Sequence, residues 1–220
     1  METKKTPGAA PAKTIGPVAN LEHHLHPEWW KRIFNSLYLK TDGDVVEDAL
    51  ITAAEIDMFG ELLGIREGDT LLDLACGQGR HLIELARRGK YQLFGLDRSR
   101  YLIQRARSNA KKGGLVIQFK EGDVRKLPYA TDSFDFVTIL GNSFGYFESP
   151  DDDVRILSEV FRVLKPEGKL LMDVADGNYL KDRFVPRSWE WMDKKHFVCR
   201  ERSLAKDGRR LISREVITHT

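Results

Sequence analysis

The chain has 220 residues, 41% of them hydrophobic and 31% charged, enough apolar material for one sizeable core and a length that fits one domain or at most two. Its 35 basic and 33 acidic residues nearly cancel to a formal +2, which excludes any bulk electrostatic case for binding nucleic acid or an acidic membrane surface; such a partner has to be recognised by a local patch. Two cysteines, Cys76 and Cys199, are too few and too far apart for a disulfide framework or a zinc site, which suits a reducing cytoplasm, and no run approaches the roughly 18 apolar residues of a membrane span.

Residues 1–26 are rich in Pro, Ala, Gly and Lys and lack an apolar stretch of signal-peptide length, so they read as a disordered lead-in. His23, His24 and His26 within it have no further ligands and read as solvated, with no metal site expected. Residues 27–66 hold two helices expected to cover the site. One spans 27–40, with Trp30, Ile33, Phe34 and Leu37 at helical spacing; the other spans 46–63, with Ala53, Ile56, Phe59 and Leu63 on one face before Gly64 ends it. From residue 67 the pattern changes to short apolar runs of strand length at 70–74, 92–96, 116–120, 134–140 and 169–174. Amphipathic segments at 81–88, 99–112 and 151–164 separate them, the last introduced by Ser149-Pro150. Residues 67–176 therefore read as an α/β core, doubly wound, with a mostly parallel sheet and helices on both faces. Residues 177–220 read as an extension in which strands at 196–204 and 210–218 form an antiparallel hairpin through Lys206-Asp207-Gly208.

Ligands of such sheets bind beyond the carboxyl ends of the strands, at the switch in strand order. There Gly77 and Gly79 permit a tight turn and close approach of the backbone to a ligand. The helix that follows aims unsatisfied N–H groups at an anionic group. Asp97, 18 positions after Gly79, is placed to accept two ribose hydroxyls. A dinucleotide site calls for a third glycine where Leu82 stands, and a diphosphate is repelled by Asp73. Asp73 suits a ligand with a cationic amine, such as an amino-acid moiety.

The series Asp73-Leu-Ala-Cys-Gly77-Gln-Gly79, Gly95-Leu-Asp97, Gly122-Asp123-Val124, Asp132-Ser-Phe134-Asp135 and Leu164-Lys-Pro166-Glu-Gly168-Lys resembles the class I S-adenosylmethionine-dependent methyltransferase family in order and spacing. The resemblance implies a Rossmann-like core with S-adenosyl-L-methionine as donor and S-adenosyl-L-homocysteine as product. It implies a donor lying across the loop of Gly77 and Gly79, Asp73 near the methionine ammonium, Asp97 on the ribose hydroxyls, and Asp123 with Val124 about the adenine. Leu140, Gly141 and Asn142 would approach the methionine end, and Ala75 and Arg98 complete the donor set. On the residues alone, Asp123 serves equally as a cap for the short turn beginning at Val124. Asp135 reads as structural, 165–168 as a turn, and Cys76 as a small buried thiol.

Methyl transfer needs in-line approach of a nucleophile, so positioning and desolvation dominate and a strong base is not required. The expected reaction is transfer to a small-molecule N, O or C acceptor. The segment GNSFGYFES lacks the Asn/Asp-Pro-Pro-Tyr/Phe tetrapeptide of enzymes that modify amino groups of bases or glutamine, and no Pro-Cys nucleophile is present. Acceptor-side candidates are Asn142, Ser143, Tyr146 and Phe147, with Tyr38 and His196. Trp29, Trp30, Phe34 and Tyr38 can form an aromatic lid over the donor, though helical spacing favours core packing for most of them, and for His196 with Arg200 a solvated hairpin face is the safer reading. The extension, with Arg187-Ser-Trp189-Glu-Trp191, is expected as a lid over the acceptor, the last core strands being missing and the sheet edge open to association as a homodimer or with a further domain. Expected partners are a small-molecule acceptor, with no nucleic acid and no membrane, in the cytoplasm. A non-catalytic donor-binding or scaffold domain is the alternative.

Overall fold

A computed structural model describes residues 16–220; residues 1–15 of the expected lead-in lie outside them. The chain divides into two compact units, His26–Asp176 and, separately, residues 16–25 with Gly177–Thr220.

The first unit opens with a 3-10 turn, Trp29–Lys31, and two single-turn helices, α1 (Tyr38–Thr41) and α2 (Gly43–Val46), where the spacing predicts one helix over 27–40. Asn35 diverts the backbone: its Oδ1 accepts the Leu37 N–H and its Nδ2 donates to the Arg32 carbonyl, both at 2.8 Å, local bonds that compete with a helical ladder. α3 (Ala49–Leu63) is regular, begun by Asp48 accepting the N–H groups of Leu50 and Ile51 and ended by left-handed Gly64 at φ 69°. There follow β1 (Thr70–Leu74), α4 (Arg80–Arg88), β2 (Gln92–Asp97), α5 (Arg100–Lys112), β3 (Gln118–Glu121), β4 (Phe134–Ile139), α6 (Pro150–Val163) and β5 (Leu164–Met172). The five strands pair in parallel in the order β3-β2-β1-β4-β5.

Alternate side chains of β1 divide between two cores. Leu71 packs with Ile56, Leu63, Leu82, Leu93, Ile103 and Phe119 on the side of α3, α4 and α5. Leu72 and Leu74 pack with Leu96, Val137, Ile139, Ile156 and Val160 on the side of α6. A parallel sheet requires both faces covered, and this is how the sequence covers them. The connections leave β1 and β4 in opposite directions along the sheet, so a crevice opens beyond their carboxyl ends. The turn expected at 165–168 is a bulge inside β5: Leu164 pairs with Phe134 but Lys169 with Phe136, and Glu167 sits at φ 68°.

In the second unit, α7 (Gly177–Arg183) precedes β6 (Arg187–Trp191), β7 (His196–Leu204) and β8 (Leu211–His219), which form an antiparallel sheet separate from the core sheet. Gly208 at φ 65° makes the expected hairpin turn, and β6 adds a third strand to it. Residues 16–25 differ from the expected disordered lead-in. Leu21–His24 is a 3-10 turn whose Leu21 packs on Ala205 and Ile212, and the Val18 N–H donates to Glu201 at 3.3 Å. Covering the apolar end of the hairpin is what orders this segment.

Asp135 is structural, as expected. It accepts from the Thr70 N–H at 2.9 Å and the Thr70 hydroxyl at 2.6 Å and pairs with Lys165 at 2.9 Å. Burial opposes ionisation, but Lys165 and Thr70 outweigh it and hold the carboxyl at about 2. Because the folded value lies below the unfolded one, this contribution is present above about pH 4 and fades as the pH falls toward 2. Asp135→Asn should lower stability to urea by about 1 kcal/mol at neutral pH, with the gap to the parent narrowing steadily below pH 4.

Candidate active site

The loop after β1 passes through left-handed backbone at Ala75 (φ 55°), Gly77 (φ 56°) and Gly79 (φ 76°). The two glycines serve different ends. A Cβ on Gly77 would meet only Leu102 at 4.0 Å, so its backbone stays open to the crevice, whereas a Cβ on Gly79 would lie 2.6 Å from the Phe119 ring. Gly79 is therefore a packing glycine, seating the start of α4 against β3, and it does not line the crevice.

Asp97 closes β2 and holds that loop. Its Oδ2 accepts the Gly77 N–H at 2.8 Å and its Oδ1 the Ser99 N–H at 2.6 Å. Burial raises its pKa while the two amides pull it down, and each oxygen keeps acceptor capacity for a ligand. Asp73 is in a different state. It is 1% exposed, its Oδ1 accepts the Thr138 hydroxyl at 2.8 Å, and its Oδ2 is buried without a partner. Burial pushes this carboxyl up to about 6, against the influence of His81, Thr138 and Arg80. His81 and Arg80 are themselves engaged by Glu55 of α3, with His81 Nε2 3.0 Å from its carboxylate; that contact leads in holding Glu55 at about 2.

Asp123 accepts a forked pair from Arg125, Nε to Oδ1 at 3.0 Å and Nη2 to Oδ2 at 2.7 Å, together with the Arg125 N–H at 3.0 Å. It thus caps the turn after β3 while also facing the crevice, and Arg125 lowers its pKa. The other arm of Arg125 reaches Asp152 at 2.9 Å. Trp30 lies against this cluster, its ring 4.6 Å from the Arg98 guanidinium and 5.5 Å from that of Arg125, with the Phe147 ring edge-on at 5.0 Å. Beyond β4, Asn142 (φ 55°) donates its N–H to Asp173 at 2.8 Å and accepts the Ala175 N–H on Oδ1 at 3.0 Å, latching the exits of β4 and β5 together.

These groups surround a cavity of about 1420 Å³, lined wholly by the first unit, larger than the usual site for a single small ligand. Of the residues singled out in the sequence, Asp73, Ala75, Gly77, Asp97, Arg98, Asp123, Val124, Leu140, Asn142, Ser143, Tyr146 and Tyr38 all line it. His196 belongs to β7 of the second unit, where its Nδ1 lies 2.8 Å from Asp193 and its ring 4.7 Å from that of His219. Trp30 and Phe34, for which core packing was favoured over a place above the donor, also line the cavity. Broken helix geometry turns them there, and Phe34 stacks on Tyr146 at 5.9 Å and 16°. Gln78 and Asp42 are lining residues that the motifs did not single out. Cys76 is buried, and burial raises its thiol pKa well above the ordinary value, which disfavours the thiolate a nucleophile requires.

Residues 71–168 match the methyltransferase domain family. Demethylmenaquinone methyltransferase of Lactobacillus johnsonii is 40% identical over 136 residues, which are 60% of this chain and 53% of that protein. A Pyrococcus horikoshii OT3 protein of known structure superposes with a TM-score of 0.63 at 25% identity, covering 87% of this chain and 82% of that one. Residues 71–168 thus form a methyltransferase domain, and the chain is similar to class I S-adenosylmethionine-dependent methyltransferases. A Clostridium acetobutylicum S-adenosylmethionine-dependent methyltransferase shares the fold, with a TM-score of 0.64 at 20% identity over 83% of this chain and 78% of that one. The chain spans about half to three-fifths of the length of the curated relatives it matches.

S-adenosylmethionine is the donor of class I methyltransferases, and the residues of this cavity fit it. The orphaned Oδ2 of Asp73 suits an ammonium, the Cβ-free face of Gly77 admits close approach, and Asp97 has acceptor capacity for hydroxyls. Among the described residues no three His, Cys, Asp or Glu side chains are grouped to hold a metal, and no helix is long and apolar enough to cross a membrane. Thr138→Val removes the hydrogen bond on Asp73 Oδ1. Since that bond is strongest to the ionised carboxylate, the loss in urea stability should be about 1–3 kcal/mol at pH 8 and smaller at pH 5, below the Asp73 value of about 6.

Proposed function

We propose that this chain is an S-adenosylmethionine-dependent methyltransferase acting on a small-molecule acceptor by in-line displacement. The observation that carries the reading is the pair of unlike carboxylates at the switch point, Asp73 with an oxygen left unpaired and Asp97 clasping the loop between them. Asp73 binds the ammonium of the donor, which neutralises its buried carboxylate and removes the cost of leaving it unpaired. Asp97 accepts the ribose hydroxyls, and Asp123, Val124 and Arg98 surround the adenine. When bound, the donor supplies an electrophilic methyl group on a sulfonium.

The chain's own contribution is then to hold an acceptor in line and exclude water. Burial raises the pKa of both Tyr38 and Tyr146, so at neutral pH these phenols stay protonated and orient an acceptor as hydrogen-bond donors, without acting as bases. Asn142 acts chiefly in positioning, because its Oδ1 and N–H are spent on the latch to β5. Aromatic walls from Phe34, Tyr146 and Phe147, together with the naming of the Lactobacillus relative as a demethylmenaquinone methyltransferase, favour a flat, largely apolar acceptor.

Calorimetric titration should show S-adenosylmethionine and S-adenosylhomocysteine binding in the micromolar range, and Asp97→Ala should weaken both by at least about tenfold, the effect of losing hydrogen bonds to a charged group. Tritiated donor incubated with a small-molecule extract should label an acceptor. A protein that only binds the donor labels nothing, and absence of binding by the parent chain defeats the reading outright.

A further inference from the structure

The antiparallel sheet of the second unit has two unlike faces. In β6, Arg187, Trp189 and Trp191 point to the same side, and the register sets Trp189 beside Cys199 and Val216, Trp191 beside Phe197 and Thr218, and Arg187 beside Glu201 and Arg214. Contacts agree: the Trp191 and Phe197 rings lie 5.4 Å apart, and Glu201 pairs with Arg187 and Arg214. The opposite face holds Val198, fully buried, and Arg200 between Glu190 and Glu215. On the first face the two tryptophans remain 67% and 54% exposed, more than scattered surface apolar residues explain.

Charge is distributed unevenly as well. Residues 177–220 carry eleven Lys and Arg against six Asp and Glu, a net +5, so the rest of the chain is net negative. The acids on the aromatic face and its rim are engaged: Glu201 by two arginines, and Asp193 by the Lys195 and His196 N–H groups and the His196 ring. Lys194 and Lys195, exposed in the turn beside Trp191, make no ion pair among the described residues. The pattern is an apolar, aromatic centre rimmed by cations.

We propose that this face docks the protein on an anionic lipid bilayer, Trp189 and Trp191 entering the headgroup region while Lys194 and Lys195 meet the lipid phosphates. Tryptophan favours that interface because its ring is apolar and its N–H polar, and basic side chains at the rim gain from the negative surface. A single-stranded nucleic acid fits less well, since it requires cations interleaved along a track of stacking rings, and here the centre between the rings holds Cys199, Val216 and Phe197. A second copy fits less well because two copies of residues 177–220, each net +5, would face each other.

Co-sedimentation of the full chain with vesicles tests this. The parent should pellet with phosphatidylcholine vesicles containing phosphatidylglycerol and remain in the supernatant with pure phosphatidylcholine. Trp189→Ser with Trp191→Ser should weaken partitioning by about tenfold or more, and Lys194→Glu with Lys195→Glu should abolish the preference for anionic vesicles. Donor titration should be unchanged in both variants, which shows that they are folded. The proposal is overturned if the parent stays in solution with anionic vesicles, or if both variants pellet like the parent. It is equally overturned if the tryptophan variant instead loses binding to a single-stranded RNA oligonucleotide or loses self-association without vesicles.

Discussion

The shape of the crevice depends on one buried carboxylate. Asp97 ends β2 and receives amides from two directions, Gly77 in the loop after β1 and Ser99 before α5. Left-handed backbone at Ala75 is costly to hold, and charge-assisted bonds of this kind are what hold the loop. Ser99 passes the constraint onward: its hydroxyl oxygen accepts the Leu102 N–H at the start of α5, and its hydroxyl donates to the Phe34 carbonyl at 2.7 Å. The irregular aromatic segment is thus tied to the same point as the glycine loop.

Of the five aspartates that line the cavity, Asp73, Asp97 and Asp123 differ in charge behaviour because their surroundings differ. Asp73 is fully desolvated with a single hydroxyl on it, and its pKa rises; Asp123 is forked by Arg125, and its pKa falls; Asp97 is desolvated but doubly bonded to backbone amides, and its pKa rises against their pull. A ligand with a cationic end and a hydroxylated middle meets each need, whereas an anionic one would meet repulsion at Asp73.

The near-zero charge of the whole chain conceals a partition between the two units. Averaging over 220 residues erases it, and the facing of Trp189 and Trp191 exists only once a register with β7 exists. The sheet also explains the many charges in 196–218: on a half-exposed antiparallel layer they pair across strands, as Arg200 does with Glu215 and Arg214 with Glu201.

Much of the core was legible from local pattern. Strand-length apolar runs, the Gly-x-Gly turn, and Asp73, Asp97 and Asp123 at strand ends follow from periodicity and from which residues tolerate left-handed backbone, and both are properties of neighbours in sequence. The single helix over 27–40 was not realised, because Asn35 redirects a few hydrogen bonds and so sends Trp30 and Phe34 to the cavity. That Gly79 packs against Phe119, that Thr138 satisfies one oxygen of Asp73 and strands the other, and that Arg125 claims Asp123 with one arm and Asp152 with the other are decisions of the tertiary structure. Sequence by itself determined which residues could bind a nucleoside with a charged tail. The fold decided how each is charged and satisfied, since desolvation and partners such as Thr138 on Asp73 and Gly77 on Asp97 come from atoms tens of residues away along the chain.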